Sequence, residues 1–202
     1  MLATTPSRAP IVPGAPTLVR SLSAAQPGAV PLGTDGSVVG YVLAPDRADA
    51  ESIVNHLQGF VDVFGRTPQV RAAAEAVLRS TRDNDLAAHA RALLAWVKER
   101  VKYLPDPDGA EWIVSPLVQL DRIAAEGFSY GDCDDHVLLL GALLQSIGIP
   151  ATVHAVKIRP SDPWFNHVIL SARLPSGDVD MDPCAKGLPV ANYPVRLVPA
   201  GK

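Results

Sequence analysis

Residues 137–147 (VLLLGALLQSI) constrain this chain more than any other stretch, because almost every position in the run is apolar. At helical spacing no polar face is left, and a helix that is apolar all round belongs at the centre of a domain. The run is interrupted by Gln145 and Ser146 and is too short to cross a bilayer. Gly148 is placed to close its last turn and Pro150 blocks extension. Other elements must therefore pack around it on several sides.

The flanking sequence supplies two kinds of element. Upstream, Asp46 or Asp49 can cap a helix reaching about Phe64, with Ile53, Val54, Leu57, Phe60 and Val61 on one face and Gly65 as its stop. A second helix spans about 67–80, with Pro68 in its first turn and Val70, Ala74, Val77 and Leu78 at helical spacing. Asp85 is the N-cap of a third, marked by Leu86, Ala90, Leu93, Leu94, Val97 and Val101 and ended by Pro105 and Pro107. Pro116 opens a fourth, with Leu117, Leu120 and Ile123 as its buried face and Gly127 as its end. Downstream the period becomes that of strands, at 151–158, 167–174 and 178–181, with a hairpin turn at 175–177 and a last strand at 195–198. Helices first and an antiparallel sheet afterwards make the class α+β, with the central helix packed on the sheet.

Residues 1–45 carry prolines at 6, 10, 13, 16, 27, 31 and 45 and no sustained period, so they read as an extended arm rather than a core. Composition alone makes it a loose tail or linker; held by a partner, it would take a fixed path, and residues 37–43 are its candidate strand. Residues 46–202 form the domain, and the 48 % hydrophobic content of the 202-residue chain is enough for one core. A net charge of −3 without a dense Lys/Arg cluster argues against nucleic acid. Prolines stand where a secretory signal needs an unbroken apolar helix, so no signal peptide and no membrane span are expected.

Chemistry is suggested at the start of the central helix. Cys133 stands there, where unpaired backbone N–H groups and the helix dipole favour a thiolate. A nucleophilic cysteine needs a base, and the base needs a third group to fix its tautomer. His167 opens one predicted strand and Asp182 ends the next, so a hairpin between them sets the two side by side.

The blocks GDCDDHVLLLGALLQSIGIPA (131–151), NHVILSARL (166–174) and VDMDP (179–183) resemble the signature blocks of the transglutaminase-like superfamily. Trp96, Tyr103, Glu111, Pro116 and Leu120 extend the likeness upstream, over about 66–187, and the pattern is most similar to short phage proteins of that superfamily. The resemblance implies a papain-like fold and acyl transfer on peptide or isopeptide amides, by hydrolysis or transamidation. Cys133 would be the nucleophile, His167 the general base and Asp182 the orienting acid. It further implies a virion or bacterial cytoplasmic location, with other virion proteins as partners of the arm and a peptide or protein as substrate. A catalytically silent virion component using the fold as a docking body is the alternative. The aromatic residue often found before the acidic block is missing, leaving Gly177, Asp178 and Val179; Trp164 is its candidate replacement. The Cys133 N–H and one of Asn166, Tyr130 or Trp112 are candidates for the oxyanion hole.

The remaining polar residues receive plainer readings. Asp134, Asp135 and His136 are consecutive on a helix and so diverge, which argues against a metal; the two carboxylates are expected to favour the first turn through its dipole. No cofactor is expected. With two cysteines there is no disulfide framework, and a reduced cytosolic setting is the simpler reading, although a bridge between Cys133 and Cys184 would consume the nucleophile. Cys184 is taken as structural, and His56, His89 and His154 are given no role.

Overall fold

The structure is a computed structural model that describes residues 40–43, 50–81, 85–106, 111–185, 193 and 195–199. Its elements run β1 (Gly40–Leu43), α1 (Ala50–Phe64), α2 (Pro68–Leu78), α3 (Leu86–Arg100), β2 (Val101–Tyr103), β3 (Glu111–Val114) and α4 (Pro116–Glu126). They continue as β4 (Ser129–Gly131), α5 (Cys133–Ser146), β5 (Ala151–Val156), β6 (His167–Leu174), β7 (Gly177–Met181) and β8 (Arg196–Leu197).

The apolar run is the central helix, α5. Leu138, Leu139, Leu140, Leu143 and Leu144 are all fully buried, each contributing about 1.5–3 kcal/mol of apolar burial. Helices α1, α2 and α3 pack against it, as do strands β5 and β6. The approach of α1 is close: a Cβ on Gly141 would lie 2.7 Å from Val61 Cγ2, so only glycine fits this crossing.

The four-stranded sheet has the order β7-β6-β5-β8 and is antiparallel throughout. Leu174 pairs with Gly177 across the hairpin turn, and Gly177 has φ 114°, as a tight turn there requires. Strand β8 covers only Ala155 and Val156 of β5. The open end of that edge is closed by a side chain: buried Gln58 of α1 donates to Ala151 O at 3.1 Å and accepts from Val153 N at 3.0 Å. That amide substitutes for a missing strand.

The local signals expected at Asp85 and Gly127 are in place, and Ser115 adds a cap not expected from the sequence. Asp85 accepts from Ala88 N at 2.8 Å, Ser115 from Leu117 N at 3.2 Å, and Gly127 closes α4 at φ 86°. Tertiary pairing changes other boundaries. Helix α3 stops at Arg100 because Val101 opens β2, which runs parallel to β4 with Tyr103 opposite Gly131. The buried positions of α4 are Pro116 and Gln119, whereas Leu117, Leu120 and Ile123 pack half-buried at the core's margin. Strand β5 ends at Val156, not at 158, and the last strand shortens to Arg196–Leu197.

A strand does form in the segment that composition assigns to the arm, but its partner is this chain's own β3, with Gly40 opposite Val114. Residues 1–39 and the cap candidates Asp46 and Asp49 lie outside the described residues. Among the described residues no helix is long and apolar enough to cross a membrane.

Candidate active site

The hairpin brings two of the three expected side chains into direct contact. His167 begins β6 and Asp182 follows the last residue of β7. The Nε2–H of His167 donates to Asp182 Oδ2 at 2.9 Å. An ionised carboxylate can only accept, so the ring proton is on Nε2 and Nδ1 keeps a lone pair able to take a proton.

Asp182 is 1 % exposed, yet it is fully supplied with donors. Its Oδ1 accepts from Cys184 N at 2.8 Å and Ala185 N at 3.0 Å, and its Oδ2 also accepts from the Tyr193 hydroxyl at 2.6 Å. Burial pushes this carboxyl up, but the hydrogen bonds from His167 and Tyr193, the His167 charge and the Cys184 N–H outweigh it and hold Asp182 below the ordinary value. Lys98 of α3 donates to the Ala185 carbonyl and ties the loop that provides those N–H groups to the helical layer.

Cys133 is the first residue of α5 and is half-buried. Asp132 caps the helix, accepting from Asp134 N at 3.2 Å. The pairing of β2 with β4 puts Tyr103 opposite Gly131, two residues before Cys133. The Tyr103 ring is 60 % exposed. Partial burial, with Cys133 and the Asp132 carboxylate nearby, pushes its hydroxyl up to about 12, so it stays a hydrogen-bond donor. The Tyr103 ring lies 6.3 Å from that of His136 in the first turn of α5, and α5 packs against β6, the strand that His167 begins.

Both cysteines are free thiols. Burial, and then the neighbouring Asp182 charge, push Cys184 up to about 12, which makes it unreactive at neutral pH.

The acidic residues beside Cys133 differ from expectation. Asp134 and Asp135 are buried, and burial drives both well above the ordinary carboxylate range, so they favour the neutral form rather than acting as surface charges on the helix dipole. Asp135 is part of the framework: its Oδ1 accepts from Val114 N of β3 at 2.6 Å. Gly131 makes room for it, since a Cβ there would lie 2.3 Å from Asp135 Oδ2. The His136 ring nitrogens lie 2.6 Å from Asp132 O and 3.1 Å from Val101 O, joining α5 to β2.

Asp134 and Asp135, expected to diverge, instead approach each other together with the N-cap Asp132: one carboxylate oxygen from each of the three lies within 4.8 Å of the others. They are the only such group among the described residues. Their place at the positive end of α5 disfavours a cation, and burial favours protons in its stead.

The oxyanion candidates separate. Asn166 is committed to its own loop, donating to Asp162 Oδ2 at 3.0 Å and accepting from Ile158 N at 3.1 Å. Tyr130 meets Phe128 edge-on at 5.3 Å. The buried indole N–H of Trp112 has no hydrogen-bond partner among the described residues. Trp164 is 70 % exposed on the loop before His167. His154, given no role from sequence, lies 2.8 Å from the Ser171 hydroxyl, which donates to Asp180 at 2.7 Å. Sequence reasoning missed Tyr193 entirely, because no motif marks it and its partner is 11 residues away.

A family model described as the transglutaminase-like superfamily matches residues 71–183, more than half of the chain. No curated protein matches. A candidate cysteine protease from Cytophaga hutchinsonii is similar at 17 % identity and TM-score 0.43, covering 56 % of this chain and 36 % of its own. A candidate protease from Parabacteroides distasonis is similar at 13 % identity and TM-score 0.42, over 62 % of this chain and 26 % of its own. This chain thus spans about a third or less of those proteins.

Proposed function

The chain belongs to the transglutaminase-like superfamily, and from that premise we propose that it is a cysteine hydrolase or acyltransferase acting on peptide or isopeptide amides. Cys133 is the nucleophile, His167 the general base and Asp182 the orienting acid. The observation that supports this reading is the His167–Asp182 hydrogen bond of 2.9 Å, which leaves Nδ1 as the basic nitrogen, with Cys133 as the first residue of α5.

In the first half-reaction the Sγ–H proton passes to His167 Nδ1 and the sulfur attacks the amide carbonyl carbon. The Asp182 carboxylate stabilises the resulting imidazolium without taking its proton. Nδ1–H then protonates the departing amine as the C–N bond breaks, leaving a thioester. Water or an acceptor amine loses a proton to Nδ1 as it attacks the thioester, and Cys133 leaves as the thiolate and recovers that proton. The Cys133 backbone N–H at the start of α5 is the donor proposed to stabilise the oxyanion formed in each half.

The test is the alkylation rate of the protein by iodoacetamide from pH 5 to pH 9, with Cys133→Ala as the control for Cys184. An activated site alkylates at Cys133 well below the free-thiol pKa of about 8.5. Reaction only near that value removes the enzymatic reading.

The finer part of the proposal is association with a phage particle, with residues 1–45 as an arm along neighbouring virion proteins and 46–202 as the catalytic domain. It is supported by the likeness of the signature blocks to short phage proteins and by the proline-rich composition of the arm. Deleting residues 1–39, which spares β1, should abolish particle incorporation and leave Cys133 alkylation unchanged.

A further inference from the structure

Beyond the three expected residues, we infer that Tyr193 is a positioning residue that acts through Asp182, and that β8 exists in this chain to deliver it. The inference rests on the catalytic reading for its purpose but on independent geometry for its content.

Tyr193 lies ten residues beyond the last position of the matched family span (193 − 183). Its hydroxyl donates at 2.6 Å to the same Asp182 oxygen that accepts from His167. The two rings lie 5.8 Å apart and tilted by 60°, so Asp182 Oδ2 is held between two fixed donors. A carboxylate oxygen shared in this way cannot rotate away from the imidazole without breaking a buried, charge-assisted bond.

Two further sets of contacts hold the phenol in place. Tyr193 packs with fully buried Val156 and Ile169 in a small apolar cluster apart from the main core. Arg196 of β8 donates through both terminal nitrogens to Asp180 of β7, and its Nε to Tyr193 O at 3.5 Å. Asp180 also accepts from Ser171 Oγ at 2.7 Å. Lys157 N donates to Val195 O at 3.3 Å, and Val156 pairs with Arg196. Two residues of β-pairing add little core, yet they clamp the segment that reaches Asp182.

Tyr193→Phe tests this, since it removes one oxygen and keeps the ring in its apolar cluster. The primary readout is the Asp182 carboxyl carbon resonance followed with pH by NMR in a Cys133→Ala background, which is independent of thiol activation. Loss of the Tyr193 donor should raise the Asp182 midpoint by about one pH unit, a tenfold change in proton affinity. With Cys133 present, the acid limb of iodoacetamide alkylation should move upward with it, and the rate below that limb should fall about tenfold. An unchanged Asp182 midpoint in folded Tyr193→Phe overturns the inference, whatever the thiol does. Should that variant not fold, the unmutated protein decides: a slowly exchanging Tyr193 hydroxyl proton close to the His167 Nε2–H supports the assignment, and its absence overturns it. Failure of the parent reading looks different, as ordinary alkylation of Cys133 with the Asp182 midpoint still sensitive to Tyr193.

Discussion

Asp182 and Asp134 are each about 1 % exposed, yet burial has opposite outcomes at the two. At the end of the β6–β7 hairpin, two backbone N–H groups, a phenol and an imidazole converge on Asp182 and hold it ionised. In the first turn of α5, Asp134 has carboxylates for neighbours, and Asp134 and Asp135 are driven toward the neutral form. Desolvation opposes the charge at each site, and the donors gathered around the carboxylate decide whether that charge survives.

The largest effect should come from taking the charge from the hairpin. Asp182→Asn keeps the shape but places an amide where His167 needs an acceptor, and the wrong tautomer should lower amide turnover on the order of 10³-fold or more. Steady-state rates on whichever amide substrate a peptide screen identifies would measure it. Asp134→Asn, by contrast, should leave turnover within about threefold, since no proton transfer passes through it. Equal losses in the two variants would erase the distinction.

Gly131→Ala attacks the framework from the other side. Its Cβ would collide with Asp135, which must swing from Val114 N. A loss of about 1–3 kcal/mol is expected, readable as a lower urea midpoint with little change in the slope of the transition.

The smallest effect concerns pH. A folded carboxyl raised above its unfolded value, as at Asp134, stabilises the fold most below the unfolded value and loses that stability as pH rises through the folded one. A depressed carboxyl such as Asp182 does the reverse, and its stabilisation disappears as pH falls through its folded value. Asp134→Asn should therefore melt higher than the parent at pH 8, with the gap closing toward pH 4. A relief of about 1 kcal/mol corresponds to roughly 2–4 °C in a chain of this size. A gap that widens in acid would show that Asp134 is ionised in the fold.

Much of this architecture is legible from nearest-neighbour rules. An apolar run without a polar face reports a central helix, Asp85 caps the helix it precedes, Pro116 opens another, and residues 175–177 turn a hairpin, because each depends on groups within about four positions. The hairpin alone was enough to place His167 beside Asp182. The strands β2, β3 and β4 were not legible, because each has only three or four residues and its hydrogen bonds come from distant partners. Gln58 likewise reads as an ordinary polar position until β5 needs a donor and an acceptor at its edge.

By itself, then, the order of residues determined the helices and the β5–β6–β7 strands, which helix lies at the centre, and that a thiol opens that central helix. Only the tertiary structure decided which buried acids keep a charge and that a tyrosine just before the last strand shares the carboxylate of Asp182. The physical reason is one of range: secondary structure is set by contacts a few residues apart, whereas ionisation is set by how many donors the whole fold gathers around one group away from water.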